Sequence, residues 1–145
     1  MDFFSSMNVS SSALSAERTR MNLISSNLAN ANATRTPEGG PYKRKDAVFA
    51  ATPLESRFSR TLDGATTREV RKVDVAEIVE DQNSPRLQYD PGHPDADPQG
   101  YVAMPNVNVV EEMADMIAAT RAYEANVTAV QAAKSMAMKT LEIGR

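Results

Sequence analysis

The sequence predicts an α+β fold that is mainly α, with long N- and C-terminal helices paired as a coiled-coil-like shaft and a small β-rich middle segment. Three observations carry this. The last third holds a 3–4 apolar stripe about five heptads long. The first thirty residues hold a second, weaker stripe of the same period. Between them lie short β-branched and aromatic runs separated by clusters of Pro and Gly.

The C-terminal stripe runs through Val109, Met113, Met116, Thr120, Tyr123, Val127, Val130, Lys134, Ala137 and Leu141. Strict alternation of steps of 4 and 3 marks the seam of a helix lying along another helix. No Gly or Pro interrupts Asn106 to Glu142, and abundant Ala favours helix. A helix over 109–143 would be about 50 Å long, too long for an ordinary small globule. The seam therefore calls for a partner, although the same pattern fits a core helix of a bundle.

The N-terminal stripe predicts a helix over 3–31. Its strong line is Met7, Leu14, Met21 and Leu28, seven apart; the other line is small or polar. Six serines between Ser5 and Ser15 lower helix propensity, so this helix should form against a partner. The C-terminal seam is its natural partner, with the middle looping out. The expected domains are 1–34 and 106–145 as the two helices of the shaft and 35–105 as loop and β-rich region. Asn22, Asn27, Asn30 and Asn126 are candidates for hydrogen bonds across the seam.

Alternating Asn and Ala from Asn27 to Thr34 should fray the first helix. Arg35 to Tyr42 is turn-rich, and Lys43-Arg44-Lys45 reads as a solvated basic loop. Ala47 to Ala50, the run from Arg68 to Glu80, Leu87 to Tyr89 and Tyr101 to Met104 read as short strands, the second one half-buried or broken by a bulge. Asp90 to Gly100, with three Pro and two Gly, must be a loop. Residues 53–67 show little periodicity and read as a mobile connection.

Composition narrows the function. The chain has 145 residues, net charge −3, no Cys and no Trp, and a pI near 5.2. That balance argues against a nucleic-acid binder, and thiolate chemistry is absent. No apolar run approaches a membrane span, and residues 1–7 lack the pattern of a cleaved secretory signal. Residues 1–45 carry six basic and three acidic side chains, residues 46–105 six and eleven, and residues 106–145 four and five. A basic first part and an acidic middle suit copies that pack against one another.

No catalytic, cofactor-binding or metal constellation stands out. His93, the only histidine, sits between prolines with no nucleophile signature nearby. Asp95 to Gly100 looks like half of an EF-hand loop, but the twelfth position is Asn106, and Pro94 and Pro98 intervene. A rigid solvated turn explains it better. Asn8, Asn32 and Asn126 begin N-x-S/T triplets, and Asn126 falls mid-helix.

Three stretches together resemble a known family. Asn27-Leu28-Ala29-Asn30, followed by Thr34, resembles the N-terminal signature of flagellar rod, hook and hook-associated axial proteins. Met104 to Met113, with Asn106, Asn108 and Glu112, resembles the start of their C-terminal helix. Arg121-Ala122-Tyr123-Glu124-Ala125-Asn126 resembles the R-x-Y-x-A-N element inside it. Arg35 to Tyr42 and Tyr89 to Asp97 are similar to stretches of the proximal-rod members. The resemblance leaves 53–67 unmatched, and Ala33 departs from the usual Asn-Thr or Thr-Thr pair.

The resemblance implies a structural subunit of the flagellar basal-body rod. It implies export through the flagellar type III apparatus without a cleaved signal, then helical assembly into the torque-transmitting rod across the periplasm. The implied partners are other copies of itself, rod proteins of the FlgB, FlgF and FlgG types, and the rod-base adaptor FliE. No nucleic acid, small-molecule substrate, cofactor or enzymatic activity is implied. The expected assembly seam is Met7, Leu14, Met21, Leu28, Val109, Met113, Met116, Tyr123, Val127, Val130 and Leu141. A coiled-coil adaptor or export chaperone is the competing reading. It would stay a small closed oligomer, whereas a rod subunit assembles openly.

Overall fold

The computed structural model describes residues 3–54 and 70–143. Most of the connection expected to be mobile lies outside them. Helix α1 spans Phe3–Ala29 and helix α2 spans Val109–Ile143. At about 1.5 Å per residue they are roughly 40 and 52 Å long. Between them come β1 (Lys45–Pro53), β2 (Arg71–Glu80), β3 (Arg86–Tyr89) and β4 (Tyr101–Met104).

The helices pack side by side. Thr120 meets Met21, and Asn27 meets Glu112, so they run antiparallel. Both ends at the junction are chemically specified. Asn108 caps α2: its side-chain oxygen accepts the Val110 N–H at 3.2 Å and its carbonyl the Glu112 N–H at 3.0 Å. Glu111 and Glu112 in the first turn suit the positive end of the helix dipole. Helix α1 ends at Ala29, within the Asn-Ala stretch, where the Ser26 carbonyl accepts both the Asn30 N–H at 3.0 Å and the Asn30 Nδ2 at 2.8 Å.

The face of α2 that meets α1 is turned from the line of large apolar residues. Glu112, Ala119 and Ala133 are buried. They stand one residue before Met113, Thr120 and Lys134, which are exposed. Met116, Tyr123, Val127, Val130 and Ala137 are half-buried and belong to both the expected and the observed line. Small size decides this, because Ala lets two helix backbones approach closely while Met and Lys hold them apart.

On α1, Leu14, Met21 and Leu28 are half-buried, Met7 is exposed, and the buried residues are Ala16, Ile24 and Asn27. A second contact explains the spread: α1 also packs against β1 and β2. Ser12 accepts the Val73 N–H at 3.1 Å. The Arg20 guanidinium lies 4.3 Å from the Phe49 ring centroid. A helix covered on two sides has no single apolar stripe, and Ser12, one of the serines that weaken α1 in isolation, becomes a link to the sheet.

Strands β1 and β2 pair antiparallel from Lys45↔Glu80 to Pro53↔Arg71. The register shifts at Val48/Phe49, leaving Ala76 as the extra residue of a bulge. Hydrogen bonds from Thr52 and from Lys72 hold the Asp74 carboxyl below its ordinary pKa. This contribution is present above the ordinary carboxylate pKa and is lost as pH falls through the depressed value. Thr52→Val should therefore move the Asp74 midpoint upward in an NMR titration, and an unmoved midpoint would contradict that cause.

Strands β3 and β4 form a second hairpin, Arg86↔Met104 to Tyr89↔Tyr101. Its loop is stiffened by the Asp97 carboxylate, whose Oδ1 accepts the N–H groups of Gln99 and Tyr101, both at 2.9 Å. Gly100 has φ +85°, and a Cβ there would stand 2.9 Å from Tyr89 Cε2 and 3.2 Å from Pro91 Cβ. Gly100→Ala should cost about 1–3 kcal/mol, from an unfavourable backbone region plus a clash. A melt that differs from that of the parent by less than 1 °C would contradict this.

Candidate functional site

The most tightly specified part of the molecule is a polar junction where the end of α1, the start of α2 and the entry to β1 meet. Asn27 and Glu112 are each 1 % exposed there. Asn27 uses its full hydrogen-bonding capacity. Its Nδ2 donates to the Lys45 carbonyl at 2.9 Å and to Glu112 Oε2 at 3.0 Å. Its Oδ1 accepts the Tyr42 hydroxyl and the Lys45 N–H, both at 3.0 Å. The side chain thus meets Lys45 as a neighbouring strand would, tying β1 to the last turn of α1.

Glu112 Oε1 accepts Arg44 Nε at 2.6 Å. The same guanidinium reaches Asp46 at 3.2 Å and Asp115 at 3.8 Å. Burial works to lower the Arg44 pKa, but the hydrogen bonds and negative charges of Glu112 and Asp46 outweigh it and raise the pKa overall. The buried carboxylate therefore has a permanent counter-ion, and both of its oxygens are bonded. Such a pair adds little net stability over an apolar one, but removing one member leaves an uncompensated buried group.

Tyr42 and Arg44 were not singled out by sequence reasoning, which placed Arg44 in a solvated loop. The structure corrects this: Arg44 is half-buried and ion-paired, and Lys45 begins a strand. A carboxylate placed in the first buried turn of a helix, which demands a cation, was the one available signal. Of the four asparagines considered for cross-seam bonding, Asn27 makes such a bond. Asn30 and Asn126 instead donate to carbonyls of their own helix, Ser26 and Ala122.

The other motif residues are distributed as follows. Thr34 Oγ1 donates to Asp95 Oδ2 at 2.8 Å, clasping the long hairpin loop to the end of α1. Asn106 reaches Asp81 at 3.4 Å. Leu28 and Tyr123 are half-buried. Ala29, Met113, Arg121 and Ala125 are exposed, away from the junction. His93 Nδ1 accepts the Asp95 N–H at 3.1 Å and serves the loop turn. Among the described residues no three His, Cys, Asp or Glu side chains gather as a metal site, and no helix is long and apolar enough to cross a membrane.

Residues 7–35, which enter the junction from one side, match the family model "Flagella basal body rod protein". Residues 99–143 match "Flagellar basal body rod FlgEFG protein C-terminal". A flagellar basal-body rod protein FlgC from Bacillus subtilis is 47 % identical over all of both chains. One from Borreliella burgdorferi is 45 % identical over 99 % of this chain and 98 % of its own. The chain belongs to the FlgC family of flagellar basal-body rod proteins. A Salmonella typhimurium FlgC, 41 % identical over 94 % of each chain, agrees. FlgC is a structural component of the rod, so the junction is read as architecture: it joins the two stretches that the family models match.

Proposed function

We propose that this chain is a rod subunit that assembles helically with its own copies and with other rod proteins, and that it transmits torque through the periplasm. The shaft is the α1–α2 pair, and the middle segment packs on neighbours. FlgB-, FlgF- and FlgG-type proteins, FliE and the type III export apparatus are its partners in this reading, and it performs no catalysis. The full-length similarity to FlgC proteins carries the proposal. The surface of α2 supports it: Val110, Met113, Ile117, Met136, Met138, Leu141 and Ile143 are 54–86 % exposed. So many large apolar side chains on one helix mark an interaction surface. The shorter α1 cannot cover them, and subunits joined by unlike faces build open helical arrays.

Deletion in the source bacterium provides the test. Cells without the gene should lack hooks and filaments and should not swim, and expression of the chain in trans should restore both. Deletion cells that carry complete flagella would overturn the proposal.

A further inference from the structure

The β3–β4 hairpin carries an unpartnered apolar face. Leu87, Tyr89, Tyr101 and Ala103 share one side by strand alternation and register. Leu87 is 66 %, Tyr89 65 % and Tyr101 41 % exposed, while Val102 on the opposite side is 2 % exposed and packs inward. The face is pre-organised. The tyrosine rings meet edge to face at 5.3 Å, Asp90 N–H bonds the Gly100 carbonyl at 2.9 Å, and Asp97 fixes the turn. A rigid surface that presents tyrosines loses little entropy on docking. Its rim is acidic, with Asp90 and Asp97 both exposed.

A surface of complementary character lies at the far end of the same chain. Gln131, Lys134, Ser135, Met138, Lys139 and Glu142 line a shallow groove of about 310 Å³ on α2. Met138 is 54 % exposed and is flanked by the two ammonium groups. The hairpin sits at the junction end, held by the Thr34–Asp95 clasp. The helical rise places Lys134 and Met138 about 40 Å from the first turn of α2. The two surfaces therefore cannot meet within one chain.

We propose that the Leu87–Tyr89–Tyr101 face of one copy docks on the Lys134–Met138–Lys139 groove of a second copy. Asp90 and Asp97 then lie beside the lysines. Apolar contact supplies the affinity, and opposite charge sets the orientation. The contact joins unlike surfaces, so each copy keeps one of each free and the chain of contacts stays open. This deepens the rod-subunit reading and rests on it.

The chain has no cysteine, which makes cross-linking clean. Tyr89→Cys and Met138→Cys are introduced singly and together in cells, and hook–basal bodies are isolated and treated with a short bis-maleimide. The double variant should give dimers and higher species, and neither single variant should give any. Lys134→Glu with Lys139→Glu, both on an exposed helix surface, should lower the cross-linked yield about fivefold or more without changing the melting of the purified chain. Basal bodies that contain the chain but give only monomer, or a double variant that stops at dimer, would overturn the docking and leave the rod reading intact. Cross-linking of either single variant with itself would also overturn it. If even the unsubstituted chain is missing from the basal bodies, the rod reading fails, and the docking with it.

Discussion

Asn27→Asp should destabilise the isolated protein by several kcal/mol. The substitution keeps size and shape but removes both Nδ2 donors, and with them the bond to the part-buried Lys45 carbonyl. It also sets a second carboxylate about where Asn27 Nδ2 now lies, 3.0 Å from Glu112 Oε2. Breaking a buried, bonded ionic arrangement costs about 3–5 kcal/mol. That is a large share of the about 5–15 kcal/mol that holds a typical domain together. Urea denaturation followed by circular dichroism reads the change. Asn22→Asp, on the exposed side of α1, should stay within about 0.5 kcal/mol of the parent. Adding Glu112→Gln to Asn27→Asp should recover part of the loss, because it removes the like-charge repulsion. Equal stabilities for the Asn27 and Asn22 variants would show that the junction does not hold the helices.

How much of this was legible in the sequence depends on the range of the interaction. The helices were legible, because period and uninterrupted propensity are local: α2 falls on Val109–Ile143 as expected, and α1 ends at Ala29, two residues before the expected 31. The strand runs were legible for the same reason, although the run ending at Glu80, which read either as one half-buried strand or as two broken by a bulge, is one strand, Arg71–Glu80, that carries a bulge. The helix face was not. Hydrophobicity points to Met113 and Leu141, whereas close approach selects Ala119 and Ala133. The junction was half legible. Asn27 and Glu112 were singled out through their resemblance to family motifs, but they lie 85 residues apart and no spacing rule pairs them. Arg44 was missed because a basic triplet in a turn-rich stretch is usually solvated, and only the buried carboxylate reveals its role.

Met113→Asp should separate folding from assembly. Met113 is 55 % exposed on the side of α2 away from its intrachain contact, so the isolated chain should lose no more than about 0.5 kcal/mol. In the rod the same side chain meets a neighbour in this account. An unpaired charge in a dry contact costs several kcal/mol or is forced to protonate. The variant should therefore be made and exported at parental levels but fail to join the rod, and the cells should lack hooks and filaments. Ala119→Asp, at a position 2 % exposed beneath α1, should instead unfold the purified chain. Normal swimming of Met113→Asp cells would mean that the exposed line of α2 is not a packing surface.

This chain is a rod component whose helices are joined at the Asn27–Glu112–Arg44 junction. The most direct measurement locates the chain itself: electron microscopy of purified hook–basal bodies carrying an epitope inserted in the exposed Pro37–Gly40 turn. Label should lie on the rod, below the hook, in cells that still swim. Label absent from the basal bodies of swimming cells, with the chain recovered as a small soluble oligomer, would contradict it.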